Sequence, residues 1–128
     1  GGDSYMKVKG MSACDAFIES DGADVSSVTV KTADWGGKVV AELTTDDGQT
    51  YSVEMNAGMA TTSTGDVELY VASEEFSLVL SGGSMSLMKN GMAVETLDME
   101  VAASSGRAKV SVCSGKGTIV DAHFDLVA

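Results

Sequence analysis

The sequence predicts an antiparallel β-sandwich of about eight to ten short strands, with an up-and-down β-barrel as the alternative. Three observations carry that expectation. Apolar and polar residues alternate over short runs with no helical period, which is the mark of strands with one buried face. Fifteen glycines and no proline punctuate the chain, so the turns are glycine turns. Neighbouring runs can also be paired so that their apolar sets share a face, as cross-strand geometry demands.

Taken in order, Tyr5 to Lys9, Ala13 to Glu19 and Val28 to Thr32 read as the first strands. Val39, Ala41 and Leu43 then alternate with Val40, Glu42 and Thr44, and Tyr51, Val53 and Met55 continue the pattern after Asp46-Asp47-Gly48. Pairing Leu43 with Tyr51 requires a three-residue loop, and Gly48 supplies the left-handed residue that loop needs. Val67, Leu69 and Val71 are expected to pair with Phe76, Leu78 and Leu80 across a turn at Ser73-Glu74. Asn90-Gly91 is the preferred two-residue type I′ turn and sets Leu87 opposite Val94. The apolar phase changes beyond it, so a β-bulge is expected near Glu95-Thr96. The last hairpin is expected to set Val110 and Val112 against Val120 and Ala122 around Gly115-Lys116-Gly117.

At 128 residues the chain fits one domain and buries roughly two-thirds of its unfolded surface. Residues 3–128 are read as that single β-domain, and Gly1-Gly2 as a tag remnant or the end of a linker. The formal charge of −11 and pI near 4.2 exclude nucleic acid, whose phosphates need Lys and Arg, and electrostatic docking on anionic lipid. No apolar run reaches the roughly 18 residues of a membrane span, and no signal peptide is recognisable. A mature chain is the natural reading, with room for a lipid anchor upstream.

The two cysteines, Cys14 and Cys113, are expected to form one disulfide closing a loop of about 100 residues, worth roughly 4–5 kcal/mol on the chain-entropy account. Such a bridge needs an oxidising compartment, which points to a secreted, periplasmic or cell-surface location.

Asp121, His123 and Asp125 form a D-x-H-x-D row. Residues i and i+2 of a strand face the same way, about 7 Å apart, so adjacent members can reach one cation, and a zinc site there needs a further ligand from another strand. The alternative is a solvated outer face. Three of the eight methionines, Met85, Met88 and Met92, lie close together, and thioethers select Cu(I). Met85 and Met88 nevertheless face opposite sides of a regular strand, and methionine is an adaptable core filler. The acidic stretches Glu19 to Asp24 and Asp46-Asp47-Gly48 can hold Ca²⁺ or serve as turns. Asn56 to Gly65 (NAGMATTSTG) lacks a strand pattern and is the candidate binding loop, with Met59, Thr61 and Thr62 in it and Trp35 as a recognition aromatic.

There is no G-x-S-x-G, no positioned base beside a nucleophile and no phosphate loop. No catalytic residues and no cofactor are therefore expected. Elimination leaves a non-enzymatic extracytoplasmic β-domain that binds or assembles with other proteins, its terminal strands available for β-augmentation. Two alternatives are a β-barrel carrier of a small apolar ligand and a periplasmic copper or zinc protein.

Overall fold

Two-residue alternation makes each strand apolar on one face, and two such faces must meet to leave water. Residues 38–45 show it plainly, every second side chain from Val39 to Thr45 being buried. The computed structural model describes residues 3–10, 16–20, 24–32, 37–114 and 118–127. Among them run twelve strands: β1 (Asp3–Gly10), β2 (Ala16–Glu19), β3 (Val25–Thr32), β4 (Lys38–Thr45), β5 (Thr50–Asn56), β6 (Met59–Thr62), β7 (Val67–Leu69), β8 (Glu75–Ser81), β9 (Ser84–Lys89), β10 (Met92–Asp98), β11 (Gly106–Ser114) and β12 (Thr118–Leu126).

Antiparallel pairing orders them β1-β12-β3-β8-β9-β10 in one layer and β2-β11-β4-β5-β6-β7 in the other. One buried cluster joins the layers. Val28, Phe76, Leu87 and Phe124 enter it from the first, and Leu43, Val53, Met55 and Val110 from the second. This is the expected β-sandwich, of jelly-roll type. An up-and-down barrel is ruled out by neighbours distant in sequence, such as β3 beside both β8 and β12.

The layers stay hydrogen-bonded to each other at Gly106, which pairs with Val25 of β3 and with Thr45 of β4. A Cβ on Gly106 would stand 2.2 Å from the Thr44 carbonyl oxygen. Only glycine lets the two backbones approach so closely.

Two hairpins follow their turn chemistry as expected. Leu43 is opposite Tyr51, Thr45 N–H donates to the Gln49 carbonyl at 2.8 Å, and Gly48 has φ +94°. Met92 is opposite Lys89, with φ +50° at Asn90 and +81° at Gly91, the signature of a type I′ turn. Beyond it the expected phase repair takes two irregularities, between Ala93 and Glu95 and between Thr96 and Asp98, so Leu87 faces Glu95 rather than Val94.

Two expected hairpins are absent. β7 pairs with β6, and the chain then crosses to the other layer before β8, so Tyr70 is buried while Leu69 is 69% exposed. β11 and β12 likewise lie in different layers, and Val110 and Val120 share a core without sharing a ladder. Parity cannot separate these cases, because facing and adjacent strands both turn their apolar set to the same core. The terminal strand β1 pairs with β12 of its own chain from Asp3 to Gly10, so it is not held out for a neighbouring subunit.

Candidate functional site

The outer face of the second layer gathers charged and hydroxyl side chains in rungs. Opposed residues share a face, so Arg107, Thr44 and Thr50 form one rung and Glu19, Lys109, Glu42 and Ser52 the next. Ser111, Val40, Glu54 and Thr61 form a third. Thr44 and Thr50 share a hydroxyl–hydroxyl hydrogen bond of 2.9 Å, and Lys38 Nζ lies 3.2 Å from Glu54 Oε1. Glu42 and Glu54 are diagonal neighbours on adjacent strands, which sets them about 7–8 Å apart.

At one end of this face a cavity of about 230 Å³ is lined by Thr44, Thr45, Asp46 and Arg107. Its walls are fixed by turn chemistry. Ser105 Oγ donates to Asp46 Oδ2 at 2.5 Å, Asp46 N–H donates to the Ser105 carbonyl at 3.0 Å, and Thr45 Oγ1 donates to Asp47 Oδ1. Arg107 is exposed and has no ion-pair partner among the described residues. The cavity therefore presents a guanidinium fork beside a held carboxylate and threonine hydroxyls. That is a donor and acceptor set suited to vicinal hydroxyls. A second cavity, of about 250 Å³ between Leu80 to Gly83 and Val101 to Ser104, has no charged lining.

The expected metal row lies on the outer face of the other layer. Asp121 is in register with Lys31 of β3 and Lys7 of β1, His123 with Thr29 and Tyr5, and Asp125 with Ser27, whose Oγ donates to Asp125 Oδ2 at 2.6 Å. Asp121 thus sits in a rung of alternating charge. Among the described residues no three His, Cys, Asp or Glu side chains are grouped to hold a metal ion, which corrects the zinc reading of Asp121, His123 and Asp125. A straight strand spreads the row over about 13 Å.

The methionine group also fails to converge. Met85 is buried in the core opposite Leu80, Met88 is on the outer face opposite Ser77, and Met92 is 72% exposed. The expected binding loop is corrected too, since Met59 to Thr62 form β6, entered by a tight turn with φ +52° at Ala57 and +83° at Gly58. Thr62 is buried there, while Met59 and Thr61 stand on the outer side beside Glu54. Trp35 and Cys14 lie outside the described residues. Cys113 is buried near the end of β11, and no cysteine among the described residues is free. The sequence reading passed over Glu42, Glu54 and Arg107. Glu42 and Glu54 are marked by the outward parity of the Lys38–Asn56 hairpin, whereas Arg107 joins them only through the pairing of β11 with β4.

No family model matches the chain, and no curated protein matches it in sequence. Solved structures do match. Crh5 transglycosylase in complex with NAG has a TM-score of 0.68 at 10% identity, covering 95% of this chain and 72% of that one. A prokaryotic β-1,3-1,4-glucanase (lichenase) from a mouse hindgut metagenome has a TM-score of 0.55 at 12% identity, covering 98% and 80%. The galectin LEC-6 of Caenorhabditis elegans has a TM-score of 0.54 at 13% identity, covering 100% and 92%. At such identities the likeness is one of fold.

These neighbours correct the functional expectations. The sandwich is one shared by carbohydrate enzymes and a galectin, which overturns the reading of a protein-binding or assembling module and its alternatives, an apolar-ligand carrier and a copper or zinc protein. The expectation that the chain is not an enzyme is overturned likewise, because the transglycosylase and the glucanase are both built on this fold.

Proposed function

We propose that this chain binds carbohydrate on the outer face of β11, β4, β5 and β6. The observation that carries the reading is the polar cavity at Thr44, Thr45, Asp46 and Arg107, opening onto a face of alternating acids, bases and hydroxyls. Sugar hydroxyls pair with such planar donors and acceptors. A neutral glycan is favoured over a polyanionic one, because a net charge of −11 repels polyanions at long range. The kinship of fold with a transglycosylase holding NAG, a β-1,3-1,4-glucanase and a galectin supports the same class of ligand.

The test is titration calorimetry with NAG oligomers and β-1,3-1,4-glucan fragments on the intact chain, Arg107→Ala and Asp121→Asn. Saturable binding that Arg107→Ala weakens about tenfold or more, and that Asp121→Asn leaves alone, supports the reading. No saturable heat with any neutral glycan, or equal loss in both variants, refutes it.

A second reading, glycan cleavage or transfer on the same face, is favoured by Glu42 and Glu54. Most glycoside hydrolases use two carboxyl groups about 5–5.5 Å or about 6.5–9.5 Å apart, and glutamates on diagonal backbone positions about 7–8 Å apart can span the wider of these. Release of reducing ends, abolished by Glu42→Gln and by Glu54→Gln, is the result this reading requires.

We also propose that Cys113 is bridged to Cys14 and that the chain works in an oxidising compartment. Ala16 of β2 is in register with Val112 of β11, and two residues of backbone span at most about 7 Å. A ladder two residues from Cys14 and one from Cys113 in sequence is compatible with a bridge between them.

A further inference from the structure

Of the two asparagines in the chain, Asn56 and Asn90, only Asn90 is followed by glycine. It turns the hairpin between β9 and β10, with φ +50° at Asn90 and +81° at Gly91. Its side chain also reaches the neighbouring strand β8. The Asn90 amide oxygen accepts from Glu75 N–H at 2.9 Å while Asn90 N–H donates to the Glu75 carbonyl at 2.8 Å, so a side-chain group completes the rung beyond Phe76 and Lys89. Asn90 Nδ2 donates to Glu74 Oε2 at 2.9 Å, and Glu74 Oε1 accepts from Val71 N–H at 2.8 Å. Residues 71–74, which carry the chain from the second layer to the first, are thereby clasped to the turn at Asn90.

We propose that Asn90-Gly91 is a deamidation site whose rate is set by this clasp, and that its conversion opens the clasp. The Gly91 backbone nitrogen attacks Asn90 Cγ. A bond forms between them, the bond from Cγ to Nδ2 breaks, and ammonia leaves with the proton of the Gly91 amide. Water then opens the cyclic imide to aspartate or isoaspartate, and no other reactant is needed. Glycine hinders the attack least because it has no Cβ, and the space a Cβ would take at Gly91 is open.

In the folded chain the Asn90 carboxamide must first swing away from Glu74 and Glu75 onto its own successor. Both of its hydrogen bonds break in that swing, and the one to the Glu74 carboxylate is charge-assisted, which makes the clasp a brake of about tenfold or more. Conversion then reverses the arrangement. A carboxylate at position 90 has no N–H to donate, and it would face the Glu74 carboxylate across the length of a hydrogen bond. Lys89 is the one cation recorded beside Glu74 among the described residues, its Nζ 3.6 Å from Glu74 Oε2 and donating to the Leu69 carbonyl at 2.6 Å. One cation among the carboxylates at positions 74, 75 and 90 leaves a net repulsion, and residues 71–74 lose their hold. This site does not depend on the glycan reading.

Timed peptide mapping of the intact chain in warm neutral buffer tests it, reading the exchange of NH2 for OH and the isoaspartate content at Asn90, with Asn56 as internal reference. Asn90 should convert about tenfold or more slowly in the folded chain than in urea, as two broken hydrogen bonds imply. Glu74→Ala removes the acceptor and should raise the folded-chain rate severalfold, while amide exchange of β4 in the same samples stays unchanged. Asn90→Asp reproduces one product and should speed amide exchange of residues 71–75 severalfold relative to β4; it also serves if Glu74→Ala does not fold. Equal rates in the folded and unfolded chains, no response to Glu74→Ala, a rise that merely follows β4 exchange, or unchanged protection of residues 71–75 in Asn90→Asp overturns the proposal.

Discussion

The Tyr51 hydroxyl donates a 2.5 Å hydrogen bond to Asp98 Oδ2, pinning β5 of one layer to the end of β10 in the other. The Tyr51 ring is buried opposite Leu43, so only its oxygen leaves the core, and Gln49 Oε1 also lies within reach at 2.9 Å. Burial first, and then the Asp98 carboxylate, push the Tyr51 phenol up to about 12. The same bond, with a further one from Glu100 N–H, holds Asp98 below the usual carboxylate range. The pin is therefore intact across neutral pH. Its contribution is lost as pH falls through the lowered Asp98 value, and again as pH rises through the raised Tyr51 value. Tyr51→Phe should cost about 1 kcal/mol at neutral pH. It should also remove the highest phenolate step from an absorbance titration of the three tyrosines. Survival of that step in Tyr51→Phe would show that another tyrosine carries it.

Gly106 should tolerate substitution far less than turn glycines such as Gly48. A Cβ there meets the Thr44 carbonyl oxygen at 2.2 Å and Thr45 Cα at 3.0 Å, where backbone rather than a flexible side chain must yield. Gly106→Ala should cost more than about 3 kcal/mol by overpacking. Gly48→Ala instead meets open space at φ +94° and should cost only the left-handed penalty of about 1–2 kcal/mol. Urea midpoints of the two variants measure the difference, and a smaller loss at Gly106 would mean that the junction of the layers is loose.

How much of this was legible in the sequence divides along the line between local and distant pairing. The turns at Asp46-Asp47-Gly48 and Asn90-Gly91 dictate their own geometry, and both hairpins fold as their residues require. The partnership of β7 with β6 and the separation of β11 from β12 are choices among strands with the same inward parity, and no local residue encodes them. Asn56 to Gly65 misled because Ala60, Thr61 and Thr62 show no apolar–polar alternation, yet Ala60 and Thr62 are buried while Thr61 is only part-buried, on the pleat of β6. The candidate face was hidden for a related reason. Arg107 is about sixty residues from Thr44, and only the pairing of β11 with β4 puts them on one rung.

Binding and stability should separate on that face. Lys38 and Glu54 form a surface pair whose side chains are 38% and 43% exposed, and such pairs contribute roughly 0–1 kcal/mol. Glu54→Gln should therefore leave the thermal midpoint nearly unchanged while altering glycan affinity or turnover. A large drop in midpoint would mean that Glu54 serves the fold.

The proposed bridge between Cys14 and Cys113 makes a prediction of a different size. β2 is only four residues long and its one recorded ladder is with β11, so a crosslink beside that ladder would fasten the start of the chain to the middle of the second layer. It would close a loop of about 100 residues in the unfolded chain, for which chain entropy gives about 4–5 kcal/mol. Reduction, or Cys113→Ser, should lower unfolding free energy by up to that amount, and a mass two hydrogens below the reduced chain should accompany the oxidised form. Loss of stability should be greatest in β2, read as amide exchange at Phe17 to Glu19. If reductant changes neither the mass nor the exchange of β2, the bridge is absent, and with it goes the argument for an oxidising compartment.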